Sequence, residues 1–173
     1  MEALLQNNLL SLILFAPTAA AVVVLLLPRD QPGLIRWTAF LASLVPLGLA
    51  ISLWLRFVPI QAGGRFEERY QWFAVSTSTD RRGVDGISLP MVLLTTILTP
   101  LALLFSFGIT ERVRAYMVLF LLLETGMLGV FLSLDLILFF LFWEIGLIPM
   151  YFLINIWGSA NRQYASFKFF IYT

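Results

Sequence analysis

An all-α, polytopic membrane helix bundle is the fold class this sequence predicts, on three observations. The 173 residues are 60% hydrophobic and only 12% charged, with mean hydropathy +0.92. A soluble domain carries about twice that charged share. The apolar residues gather in runs of roughly 20, the length a helix needs to cross a hydrocarbon core about 30 Å thick. The charges fall almost entirely in the polar stretches between those runs or at their ends.

Taken in order, the first run covers 9–27. Its flank, Met1-Glu2-Ala3, has no positive region and no clear cleavage site, so the run reads as a retained helix and not a signal peptide. Pro28-Arg29-Asp30-Gln31-Pro32-Gly33 ends it, and the second run covers 34–58. The third covers 87–109, the fourth 115–133 and the fifth 135–157, and a sixth starts near 164 and continues to Thr173. Thr110-Glu111-Arg112 and Gly158-Ser159-Ala160-Asn161-Arg162 are the polar connections expected at helix stops. Pro17, Pro46, Pro100 and Pro149 lie inside runs, which packed membrane bundles tolerate. The single transmembrane domain, 1–173, is thus expected to hold five full spans and the start of another.

The one long connection, 59–86, is an extramembrane loop of mixed character. Gly63-Gly64 leads into the charged stretch 65–69 and then Tyr70-Gln71-Trp72-Phe73. Those aromatics suit the headgroup level, and the stretch admits a short strand or hairpin. The loop is also the expected place for contact with another chain. Near the span ends, Arg29, Arg36, Arg112, Arg114 and Arg162 stand on one side, and Arg56, Arg65, Arg69, Arg81 and Arg82 on the other. The two sides balance, so charge alone does not set orientation.

Composition also excludes chemistry. With no His and no Cys, the chain cannot build a Cys/His zinc site, a His-ligated haem, a Cys-ligated iron–sulfur cluster or a Ser-His-Asp triad. Net charge +1 gives no electrostatic reason for nucleic acid as a partner. No metal or cofactor site is expected on this chain, and the lipid bilayer is its first partner. Gly126 and Gly129 carry no nucleotide-binding meaning, because no strand precedes them.

Two acids break the pattern of charges in loops. Glu124 is central in the fourth run and Glu144 in the fifth; Lys168, the only lysine, sits early in the sixth. A charge at the bilayer centre costs about 2.5–3.5 kcal/mol on insertion scales. A tight turn near Leu134 joins the two runs, with Glu124 ten residues before it and Glu144 ten after. Both acids are then expected about 15 Å from the turn, at similar depth on neighbouring helices. If they face each other, both cannot ionise cheaply; if they face apart, each needs its own partner. A carboxyl at that depth is what a proton path uses. Packing is the other reading. A buried acid can simply hydrogen-bond a neighbouring helix, the small residues beside Glu124 suit close helix contact, and Lys168 can reach the interface by snorkelling. Asp135 reads as a helix cap.

Several stretches resemble the subunit M family of antiporter-like subunits in respiratory complex I, the NADH:quinone oxidoreductases. Leu141-Phe142-Trp143-Glu144-Ile145-Gly146-Leu147-Ile148-Pro149-Met150-Tyr151-Phe152-Leu153-Ile154, continuing to Ile156-Trp157-Gly158, resembles that family's fifth helix. Gly83-Val84-Asp85-Gly86-Ile87-Ser88-Leu89-Pro90, with Leu93-Leu94-Thr95-Thr96, resembles the start of its third. Leu122-Leu123-Glu124-Thr125-Gly126-Met127-Leu128-Gly129-Val130-Phe131-Leu132 resembles its fourth, and Lys168-Phe169-Phe170-Ile171-Tyr172-Thr173 the start of its sixth. The likeness runs through essentially the whole chain and is weakest in the first two runs.

The resemblance implies a bundle of about fourteen helices with inverted five-helix repeats, which place ion sites near the midplane. It implies that Glu144 pairs with a lysine on a seventh helix and tunes that lysine's proton affinity. This sequence stops before such a helix, so it is expected to be an N-terminal fragment. The implied role is proton translocation by Glu144, with Glu124 a candidate on the proton path and Lys168 a weak one. The chain would be a translocase subunit carrying no redox chemistry, with NADH, FMN, iron–sulfur clusters and quinone handled by other subunits. Its partners would be other membrane-arm subunits, including neighbouring antiporter-like ones. It would lie in the bacterial inner membrane, with its N-terminus and the 59–86 loop outside. Two alternatives stay open: a subunit of a cation/proton antiporter or membrane-bound hydrogenase, and a non-transporting scaffold.

Overall fold

A computed structural model describes residues 8–56, 66–71, 79–84 and 86–173. Gly63, Gly64, Arg65, Trp72 and Phe73 from the long connection lie outside the described residues, as does the end of the second apolar run. The described part is a helix bundle with one small hairpin: α1 (Leu9–Leu26), α2 (Pro32–Arg56), β1 (Phe66–Gln71), β2 (Thr79–Val84), α3 (Ser88–Phe105), α4 (Val113–Leu132), α5 (Leu136–Trp157) and α6 (Arg162–Tyr172). A 3₁₀ turn, Ser106–Gly108, ends α3. Five helices, α1 to α5, are long and apolar enough to cross a bilayer.

The boundaries differ from the apolar runs for local reasons. Pro32 and Gly33, expected in a connection, are the first residues of α2; proline suits a first helical turn because its missing N–H would be unbonded there. α6 likewise begins at Arg162, ahead of its first apolar stretch. The strands pair antiparallel, from Phe66 opposite Val84 to Gln71 opposite Thr79. Asp135 caps α5, its side chain accepting the Ile137 amide at 2.8 Å, as expected of an acid at that position.

α4 is the hub, packed against α1, α2, α3 and α5. The interior of the bundle is two apolar clusters rather than one. The first joins Leu10, Ile13 and Leu14 of α1, Leu53 of α2, Val92 of α3 and Leu128 and Leu132 of α4, with Val84 of β2 against it. The second joins Val24, Ile35, Ala39, Leu103, Met117 and Leu121. On each of the four helices the two clusters take opposite halves. What lies between them is polar.

Candidate functional site

The buried polar side chains of α2, α3 and α4 all fall in this gap. They are Ser43, Thr95, Thr96, Thr99, Glu124 and Thr125. Thr18 of α1 joins them, its hydroxyl 2.9 Å from that of Thr125. The layer follows from where each helix interrupts its apolar stripe: interior positions are aliphatic or methionine toward both ends and hydroxyl or carboxyl in the middle. Proline marks the same level. Pro17, Pro46 and Pro100 lie inside α1, α2 and α3, and each removes the amide that would bond the carbonyl four residues earlier.

Glu124 is the one charged residue in the layer and is fully buried. The hydroxyls around it spend their protons on their own helices. Thr95 donates to the Met91 carbonyl at 2.8 Å, Thr99 to Thr95 at 3.0 Å and Thr125 to Leu121 at 3.2 Å. The Thr99 side chain of α3 neighbours the carboxyl, yet neither carboxyl oxygen of Glu124 has a hydrogen bond of ordinary geometry among the described residues. A carboxylate taken out of water needs a proton or a partner, and the described residues supply no partner. A cavity of about 170 Å³ between α3 and α4 is lined by Thr95, Thr99, Phe120 and Met127 among others, so Thr99 borders both that space and Glu124.

The structure does not bring Glu124, Glu144 and Lys168 together. Glu124 lies eight residues before the end of α4 and Glu144 eight residues after the start of α5, roughly 12 Å from the turn in each case. Their faces differ. Glu124 points into the bundle, whereas Glu144 is exposed on the outer side of α5, beside exposed Trp143, Ile145 and Ile148. Of the two arrangements open from sequence, acids facing apart is the one observed. Lys168 is exposed on α6, its ammonium over the rings of Tyr164 and Tyr172 at 5.5 and 5.6 Å. That aromatic contact offsets part of the cost of a cation in an apolar setting.

Close contact between α4 and α5 sets these two faces apart. Gly126 meets the Gly146 backbone, and Gly129 lies under the Phe142 ring. Glu124 and Glu144 each sit two residues before one of the paired glycines.

Residues 133–173, which include Glu144 and Lys168, match the family described as NADH:quinone oxidoreductase/Mrp antiporter, TM. NADH-quinone oxidoreductase subunit M of Rhodobacter capsulatus is 45% identical over 97% of this chain and 33% of its own length. Over nearly its whole length this chain is similar to complex I subunit M. The chain 4 protein of the NADH-ubiquinone oxidoreductase of Marchantia polymorpha is 37% identical over 96% of the chain, and subunit M of the F(420)H(2) dehydrogenase of Methanosarcina mazei is 37% identical over 94%. The chain spans about a third of the length of these three relatives. Two solved structures share the fold. A chain of respiratory complex I from Thermus thermophilus superposes with TM-score 0.76 at 25% identity, covering 94% of this chain and 32% of that one. A chain of the membrane-bound sulfane sulfur reductase, an archaeal respiratory membrane complex, gives 0.75 at 25% identity, covering 95% and 25%. Together with the five apolar helices, these matches support an integral, multi-pass membrane protein.

The hydroxyls around Glu124 escaped the sequence reading. Their signal was there in outline: Thr95 and Thr99 sit one helical turn apart inside the third apolar run, and Thr125 directly follows the acid. Hydroxyls are common in membrane helices, and only packing shows that those of four helices share one level.

Proposed function

We propose that this chain is part of the proton-translocating membrane arm of an NADH:quinone oxidoreductase, and that it moves protons by carboxyl chemistry at Glu144 and Glu124. The observation that carries this reading is the polar layer: a buried carboxyl without a hydrogen-bond partner, ringed by hydroxyls, between two dry apolar clusters. Structural packing alone gives no reason to retain an unpartnered acid there, because an intramembrane ionisable group is costly unless used.

In this reading Glu144, on the outer face of α5, pairs with a cation on a neighbouring helix. Opening and closing that pair changes the partner's hold on its proton. A change of one pKa unit corresponds to about 1.4 kcal/mol, so a small change in pair separation within a dry interior is enough. Glu124 exchanges protons with the α3–α4 cavity past Thr99. Lys168 serves as a minor electrostatic neighbour. Redox chemistry, with NADH, FMN, iron–sulfur clusters and quinone, belongs to other subunits, and neighbouring antiporter-like subunits flank this one in a bacterial inner membrane. The Methanosarcina relative, a subunit of an F(420)H(2) dehydrogenase, supports that separation, since its complex is named for a different electron donor.

The test is Glu144→Ala in the full-length protein within its complex. Proton uptake by inverted vesicles during NADH oxidation should fall at least about tenfold while the complex still assembles; normal proton yield would remove Glu144 from the mechanism. Glu124→Gln should have a smaller effect in the same assay.

The family description also names Mrp antiporters, which keeps a cation/proton antiporter subunit as the second reading. Proton movement driven by a sodium gradient in vesicles lacking NADH would favour it.

A further inference from the structure

At the end of the bundle opposite the β-hairpin, the α1–α2, α3–α4 and α5–α6 connections come together. Five arginines stand at this end, Arg29, Arg36, Arg112, Arg114 and Arg162, against two acids, Asp30 and Glu111, among the described residues. A cavity of about 440 Å³ opens there, lined by Arg29, Pro32, Thr110, Arg112 and the first turn of α4, Val113 to Ala115. That volume falls within the range of small-ligand sites. Neither acid lines it.

Three features give the cavity one charge preference. The guanidinium groups of Arg29 and Arg112 make no ion pair or hydrogen bond with another described residue. Arg114 is anchored at the rim, donating to the Leu25 and Leu27 carbonyls at 3.2 and 3.1 Å. The first turn of α4 carries no side-chain cap. Its first bonded amide is that of Tyr116, to the Arg112 carbonyl at 3.1 Å. The amides of Val113, Arg114 and Ala115 thus lack intrahelical partners, and these three residues line the cavity. Unbonded amides at a helix start favour an anion.

The walls are fixed in place. Arg36 donates to the Ile109 carbonyl at 2.7 Å and Trp157 to the Glu111 carbonyl at 2.9 Å, so α2 and α5 both hold the connection that forms the floor. Trp37, Phe40 and Phe107 pack edge to face, and Tyr116 meets Trp157. Aromatics of this kind gather where a bilayer meets water.

We propose that this arginine-lined cavity binds the phosphate of an anionic phospholipid headgroup. Arg29 and Arg112 supply the charge, and the open amides of α4 supply directed hydrogen bonds. The lipid source is favoured over free phosphate by position, because the cavity lies at the ends of apolar spans and beside the interfacial aromatics. Basic pockets between membrane helices hold such headgroups elsewhere.

The test counts lipids retained on the full chain, purified in detergent, by native mass spectrometry. The probes are phosphatidylglycerol, zwitterionic phosphatidylcholine and inorganic phosphate. The wild-type chain should retain phosphatidylglycerol over phosphatidylcholine by about tenfold. The double variant Arg29→Gln with Arg112→Gln should lose that preference, and each single variant should lose part of it. Arg162→Gln, at the same end but outside the cavity, should keep it, which separates a site from general surface charge. Millimolar phosphate should leave the bound lipid in place. Equal retention of the two lipids by the wild-type chain would overturn the proposal, as would an unchanged preference in the double variant. Displacement of the lipid by inorganic phosphate would overturn the lipid source. Binding of neither probe would leave the cavity to an acidic segment of a partner protein, and would equally refute it. None of these outcomes depends on proton transport, so the test stands apart from the role given to Glu144.

Discussion

Gly126 and Gly146 face each other across α4 and α5 so closely that a Cβ on Gly126 would lie 2.6 Å from the Gly146 Cα. The contact is lopsided. A Cβ on Gly146 would come no nearer than 3.7 Å to Gly126, which is ordinary contact. Gly126→Ala should therefore force the helices apart and cost roughly 1–3 kcal/mol, while Gly146→Ala should be near neutral. Thermal unfolding of the two variants in detergent measures the difference. Equal melting temperatures would mean that the hairpin is not packed glycine to glycine.

Glu124 offers a test that separates stability from function. Glu124→Leu removes an unpartnered carboxyl from a buried position and keeps its volume roughly filled. It should raise stability by about 1–3 kcal/mol while lowering proton yield in the assembled complex. Denaturation in mixed micelles reads the first quantity and vesicle proton uptake the second. A loss of stability would show that the carboxyl has a partner after all.

The Thr18–Thr125 hydroxyl contact ties α1 to α4 inside the polar layer. Interhelical hydrogen bonds of this kind average about 0.6 kcal/mol in membrane bundles. A double-mutant cycle with Thr18→Val and Thr125→Val should return a coupling of that order. Additive single effects would show that the two hydroxyls act independently.

Asp135→Ala removes the acceptor for the Ile137 amide. It should cost about 1 kcal/mol and loosen the first turn of α5. Faster amide exchange at Ile137 is the local readout, and unchanged exchange would assign the cap to another group.

Much of the bundle was legible in the sequence because lipid imposes a simple rule: each span must satisfy its own backbone in about 20 apolar residues. The two intramembrane acids stood out for the same reason. What the one-dimensional pattern could not carry was direction around each helix axis. Glu124 and Glu144 are equivalent in distance from the turn, yet one faces α1 to α3 and the other faces away, and the Gly126–Gly146 contact decides which. A hairpin within 59–86 was admitted by the sequence, but the arginines and acids of β1 and β2 give no apolar alternation from which its register could be read. Arg29, Arg112 and Arg114 were visible as charges near span ends. That they line one cavity depends on α1 and α4 meeting, more than 80 residues apart.

The Arg114 bonds to Leu25 and Leu27 join residues 89 and 87 positions apart. A ribosome makes α1 long before it makes α4. The last carbonyls of the first span must therefore find temporary partners in water or lipid headgroups until the fourth span arrives. Completion of α1 is in this sense a late event in biogenesis, and a chain interrupted before residue 114 would leave that helix end unfinished.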